Sequence, residues 1–229
     1  MRFPQSKIQN GITFTELVSE LIAEVKQLSC ESIRAIALHA NDINTMSLVI
    51  TKWTIDEYHR MIEAGILDDR RVELLKGEIV DMPPEGEPHA YFSSEAGEYL
   101  SRLLGDRVMI RSSKPITLPN NSEPEPDIAI VQRLGREYLE HHPYPENIFW
   151  LIEYSDSSLE KDLEIKTKIY AEVGIPEYWV VNLKRRQLVV FREPQDGEYA
   201  SKSTLSGGIV YSLAFPDVAI SVNKIISND

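Results

Sequence analysis

The chain has 229 residues, 42% of them apolar, and a formal net charge of −12 from 36 acidic against 24 basic residues. That apolar share supports a packed core and excludes a disordered chain, and the length suits one domain with an appendage. The acidic balance excludes a broad basic grip on nucleic acid, leaving room only for a local patch or a masking divalent cation.

Residues 12 to 40 repeat apolar positions at Leu17, Leu21, Val25 and Leu28, the spacing of a helix. The character changes near Met46. Residues 1–45 therefore read as a helical appendage, or as an extension upstream of a true start at Met46, and 46–229 as the main domain. Thr54 with Glu57 three residues on forms a capping-box pattern, so a helix is expected from there until Gly65 closes it. RVELLKGEIVDM alternates around Lys76-Gly77, a two-residue hairpin turn. A proline-marked loop, Pro83 to Gly86, leads to HAYFSSEAGEYLSRLLG, a helix ending at Gly105. VMIRSSKPITL, DIAIVQ and IFWLIEYS are expected as strands, the last two separated by a polar loop containing His141-His142. Ser157 to Glu160 is a second capping-box pattern, opening a helix that Gly174 and Pro176 stop. EYWVVNL and QLVVFREP form a hairpin around Lys184-Arg185-Arg186, and the tail IVYSLAFPDVAISVNKII holds one or two short strands. The sum is an α/β fold, a mixed central β-sheet flanked by helices with extra β-hairpins.

Cys30 is the single cysteine, so an internal disulfide and a cysteine-based zinc site are excluded, which fits a reducing compartment. No apolar run approaches the ~20 residues needed to cross a membrane. The first ten residues, MRFPQSKIQN, lack a signal-peptide core. A soluble cytoplasmic protein with no membrane partner is the expectation. Uncovered sheet edges and the N-terminal helix leave room for a homodimer.

Two carboxylates stand out. Asp127 opens a strand after the lead-in Ser122-Glu123-Pro124-Glu125-Pro126, where Pro126 fixes the backbone and belongs at a strand start. Glu123 and Glu125 read as solvated loop residues. Glu153 lies near the end of IFWLIEY, on one pleat face with Phe149 and Leu151 if the strand alternates regularly. A carboxylate there is costly to bury unless paired or bound to a cation. Lys166 falls about two turns into the next helix, on one face with Asp162 and Tyr170. From there it could reach back to Glu153, or simply pair with Asp162 at the surface. Tyr170 could equally be a core aromatic. Two carboxylates suit Mg²⁺ or Mn²⁺, which prefer hard oxygen ligands, and a lysine can orient a water or stabilise developing charge. His141-His142 and Trp179 read as a loop feature and a packing residue.

Pro126-Asp127, Ile152-Glu153-Tyr154, Ser155 to Ser158, Asp162, Lys166, Tyr170-Ala171 and Gly174 to Trp179 resemble the Uma2 family of restriction-endonuclease-like proteins, also called DUF820 and abundant in cyanobacteria. Trp53-Thr54, Tyr58, Arg71 to Leu74, Gly77-Glu78, Met82, Pro84 and His89 extend the resemblance, which runs from about residue 52 to 195. It implies the PD-(D/E)XK nuclease core, with Asp127 and Glu153 as metal ligands and Lys166 serving water or phosphate. The parent pattern has its lysine two positions after the second acid, where this chain has Ser155; Lys166 on the following helix takes that part. Glu73 and His89 match family positions near the cleft. Glu73 could be a third acidic ligand or the polar side of a hairpin, and His89 could cap the helix it precedes. The resemblance thus implies a metal-dependent endonuclease acting on DNA phosphodiesters; the alternative is a non-catalytic interaction protein on the same scaffold.

Overall fold

In a computed structural model that describes residues 50–155 and 161–227, the chain enters helix α1 (Ile55–Glu63) through the expected capping box. The Thr54 hydroxyl accepts from the Glu57 amide, and the Glu57 carboxylate accepts from the Thr54 amide. Gly65, at φ 71°, follows the helix in the left-handed conformation that ends it. The helix expected within residues 12 to 40, the capping pattern at Ser157 to Glu160 and the side chain of Asp162 lie outside what is described.

Strands β1 (Val72–Leu75) and β2 (Glu78–Asp81) pair across Lys76-Gly77. Both turn residues have positive φ, 49° and 75°, as a type I′ turn demands. Helix α2 (Glu87–Leu104) starts two residues earlier than its apolar pattern, with Pro88 in its first turn, and stops at Gly105.

The main sheet contains β3 (Met109–Ser112), β4 (Ile128–Val131), β5 (Ile148–Ser155), β6 (Glu177–Asn182), β7 (Gln187–Gln195) and β8 (Glu198–Leu205), in that order. Every neighbouring pair is antiparallel except β5 with β6, which run parallel. A parallel pair needs a crossover, and α3, a π-helical turn Lys161–Lys166 continued by Thr167–Glu172, lies between those strands in the chain. One face of the sheet packs Trp150, Ile152, Trp179 and Val190 against Leu100 and Leu104 of α2 and against the short helix α4 (Val222–Ile226). The other packs Leu151, Tyr178 and Val180 against Ile169 and Tyr170 of α3. With both faces covered, β6 is buried along its whole length, which is why EYWVVN reads as a continuous run rather than an alternating one.

Four expectations need correction. VMIRSSKPITL is a strand only to Ser112: Ser113 turns left-handed at φ 47° and Pro115 has no amide to donate, so 113–126 run as an irregular arm. Strand β8 escaped the reading because it is an edge whose residues are mostly exposed or half-buried, without an apolar run. The tail holds α4 as well as the short strands β9 (Ile209–Val210) and β10 (Ile220–Ser221). Finally, regular alternation fails at Phe149. Val131 pairs with Ile148 and Ile130 with Trp150, so Phe149 is an extra residue. This β-bulge sends Phe149 to the α2 side, while Leu151 stays on the α3 side.

Candidate active site

Glu153 is the sixth residue of β5 and is only 4% exposed. Its burial is matched from two directions. Lys166 Nζ donates to Oε1 at 2.7 Å and the Tyr170 hydroxyl donates to the same oxygen at 3.1 Å. Both donors sit four residues apart on α3, so one helical face presents them together. Burial pushes the Tyr170 hydroxyl well above its usual pKa, against the opposing effect of Lys166 and with help from the Glu153 and Glu73 charges. It therefore keeps its proton and serves as a donor. Lys166 also lies 3.3 Å from Glu73 Oε2, so one buried ammonium bridges two buried carboxylates.

Glu73 is fully buried on β1. The reason is the acidic arm: Glu123 donates its amide to the Leu74 carbonyl and the Glu125 amide donates to Glu73 Oε2 at 3.3 Å. The hairpin side expected to be polar is thus covered. Nor are Glu123 and Glu125 the solvated residues expected. Glu123 is 4% exposed and bonded to Thr117 and His59, and partial burial raises the Glu125 carboxyl above its usual range.

Asp127 stands one residue before β4. Its Oδ2 accepts from the Tyr154 amide at 2.6 Å, and its own amide donates to Glu153 Oε2 at 3.4 Å. The two acids are thus linked through the β4 and β5 backbones. His89 Nε2 lies 3.0 Å from the same Oδ2. His89 does not cap α2, whose N-cap is Gly86; it is the third helical residue, turned to the sheet. Burial alone would lower its pKa, but the bond to Asp127 and the charges of Asp127, Glu85 and Glu153 outweigh that and raise it.

Glu73, His89, Asp127, Glu153 and Lys166 line one cleft of about 60 Å³. At about 10–15 Å³ per water, it holds a few water-sized groups. Tyr170 supports it from behind. Two further residues complete the rim. Arg71 pairs with Glu85 at 2.8 Å, and Glu85 Oε2 lies 3.7 Å from His89 Nδ1. The sequence placed Arg71 inside a matched motif but gave it no task, and nothing in the spacing marked Glu85. His141 and His142 stay apart from this cleft. His141 Nδ1 bonds the His142 carbonyl and its ring stacks on Tyr144, so they form no metal pair with each other. Trp179 is buried packing, with Nε1 tied to Glu177.

Among the described residues, no group of three or more His, Cys, Asp and Glu side chains is arranged to hold a metal ion. The donor chemistry fits a cation that asks for fewer protein ligands. Mg²⁺ usually takes one or two carboxylates and completes its shell with water and phosphate. Both bonds to Asp127 described above fall on Oδ2, so Oδ1 is the oxygen to offer. On Glu153, Lys166 and Tyr170 take Oε1, and Oε2 faces the Asp127 amide.

The model of the Uma2 family, described as "Putative restriction endonuclease", matches residues 55–223. Among solved structures, a crystal structure of "a putative nuclease belonging to DUF820" from Anabaena variabilis superposes with a TM-score of 0.61 at 17% identity, covering 76% of this chain and 97% of that one. At that identity the likeness concerns the fold. No curated protein matches the sequence.

Proposed function

The chain belongs to the Uma2 family of restriction-endonuclease-like nucleases, and on that premise we propose that it hydrolyses DNA phosphodiester bonds with Mg²⁺ or Mn²⁺ at the Asp127–Glu153–Lys166 cleft. The observation that carries this reading is the buried bond of 2.7 Å from Lys166 to Glu153, made across two elements, beside an Asp127 whose amide meets the same carboxylate. A lysine and an acid that only stabilised the fold would more cheaply be apolar, because buried ion pairs seldom add net stability.

Asp127 and Glu153 would hold the cation. A bound divalent ion acidifies a water and neutralises phosphate charge. The chain does the rest. His89 and the Tyr154 amide fix Asp127, and Tyr170 fixes Glu153. Lys166 Nζ, already a donor to Glu153, would orient the attacking water or stabilise charge growing on the phosphate. Arg71 at the rim, paired with Glu85, adds a second cation for a phosphate beside Lys166.

A second reading, a non-catalytic interaction protein on the nuclease scaffold, draws on the charge of −12 and a carboxylate-rich cleft that repels DNA. One experiment decides. Purified protein is incubated with supercoiled plasmid and Mg²⁺ or Mn²⁺ beside Glu153→Gln. Nicking that the variant loses supports the nuclease. Absence of nicking in the parent, with no calorimetric Mg²⁺ binding, favours the interaction protein.

A further inference from the structure

A second cavity of about 290 Å³ adjoins the first and shares Glu125 with it. It is several times larger than the cleft at Asp127, too large for a hydrated ion alone. Ile62 and Pro115 are its apolar walls, and His59, Glu123 and His142 bring ring edges and a carboxylate. None of its lining residues is a lysine or arginine, and three are glutamates. A phosphate has no place there. A flat, uncharged ring does.

The polar groups are prepared for such a ring. Glu123, 4% exposed, is held by the Thr117 hydroxyl and by His59 Nε2, each at 2.8 Å. His142 Nδ1 lies 3.4 Å from Arg111 Nη2, and because arginine only donates, Nδ1 accepts and the proton sits on Nε2. Burial pulls the His142 imidazole below its ordinary pKa, Arg111 and the neighbouring histidines adding to that and Glu123 opposing it, so the ring stays neutral near pH 7. Imidazole rings, carboxylate acceptors and apolar walls together are what a base requires: a stacking surface and partners for its edge.

The geometry points to a nucleobase subsite, in which this cavity takes one unpaired base of the strand whose phosphate lies in the Asp127–Glu153 cleft. Glu125 is a wall of both cavities, so they lie side by side, as adjoining parts of one nucleotide strand require. The subsite rests on the nuclease reading and adds a substrate feature to it: an unstacked base at the point of cutting. Because carboxylates only accept, a base with an exocyclic amine fits better than thymine.

The test uses three short fluorescein-labelled single strands of equal length: oligodeoxycytidine, oligothymidine and an all-abasic strand. Affinities are read by anisotropy with Ca²⁺ in place of Mg²⁺, beside plasmid nicking in Mg²⁺. The cytosine strand should bind about tenfold more tightly than the abasic one, the effect of a single stacked base, with thymine between them. Ile62→Trp, on an exposed wall of the cavity, should erase that difference while the abasic strand binds as before. Equal affinity for all three strands, or unchanged discrimination in Ile62→Trp, overturns the subsite even if the plasmid is nicked. Discrimination without nicking keeps the subsite and removes the nuclease.

Discussion

Replacing Lys166 with methionine keeps the apolar stem as far as Cε and removes the ammonium, which isolates its role. Lys166 is 4% exposed and its two partners, Glu73 and Glu153, are 0% and 5% exposed at their side chains. Removing one member of a buried ion pair costs about 3–5 kcal/mol, since the remaining charge is left uncompensated. Here the carboxylates retain other donors: the Glu125 amide on Glu73, and Tyr170 and the Asp127 amide on Glu153. The lower end, about 3 kcal/mol, is therefore expected. In urea unfolding, with a slope of about 2–3 kcal/mol/M, the midpoint should fall by about 1–1.5 M. Glu73→Gln in the same background should restore part of the loss, giving a coupling of about 1–3 kcal/mol in a double-mutant cycle. A loss below about 1 kcal/mol with no coupling would place Lys166 among ordinary exposed pairs and refute the buried bridge.

Mg²⁺ titrated into the parent should raise its thermal midpoint in proportion to the logarithm of concentration, and should leave Glu153→Gln unmoved; an equal response in both would take Glu153 out of the metal site. Gly77→Ala should destabilise more than Gly174→Ala in thermal melts. Both sit at φ 75°, which costs an L side chain about 1–2 kcal/mol, but at Gly77 a Cβ would also meet the Trp53 carbonyl oxygen and Lys52 at 2.8 Å, while at Gly174 it meets nothing. Thr54→Ala should cost about 1 kcal/mol by removing the cap of α1. The Thr54 amide and hydroxyl, both bonded to the Glu57 carboxylate, hold that carboxyl below its ordinary 4.5, so the carboxylate's contribution is complete above that value and fades as the pH falls through the lower, native one. Parent and Glu57→Ala should therefore draw together in acid, and a constant gap would contradict the carboxylate's part in the cap.

The readable parts of this chain were those in which local chemistry decides. The Lys76-Gly77 turn and the stops at Gly65, Gly105 and Gly174 each rest on a backbone conformation that few residues adopt, and the Thr54–Glu57 box rests on side chains that reach only their own helix start. The Asp127, Glu153 and Lys166 set was also legible, because a strand-borne acid on a buried face needs a partner and the next helix offers one; the bond at 2.7 Å is that partner. What escaped depends on distant parts of the chain. Nothing near Phe149 announces a bulge, which only its pairing with β4 creates. Glu73, Glu123 and Glu125 look solvated until the acidic arm and β1 cover one another. His89 precedes a longer helical pattern than its apolar spacing suggests, so the start of α2 at Glu87 turned an expected cap into a side chain facing Asp127. Glu85 was invisible because a charged residue in a proline-marked loop is common on surfaces, and Arg71, though inside a matched motif, had no task until the fold brought it to Glu85.

The parallel pair of β5 and β6 has a consequence for timing. The five cleft residues come from β1, α2, the approach to β4, β5 and α3, and no two of them are close neighbours in the chain. Such a centre has no local nucleus; the loops between its parts must close before any contact repays them. Synthesis runs from the N-terminus, so both acids emerge before Lys166, whose helix is the link that lets β6 lie alongside β5. During translation the acids stand without their cation. On the ribosome the cleft thus stays incomplete, two buried carboxylates without their ammonium, until the crossover has been made and docked.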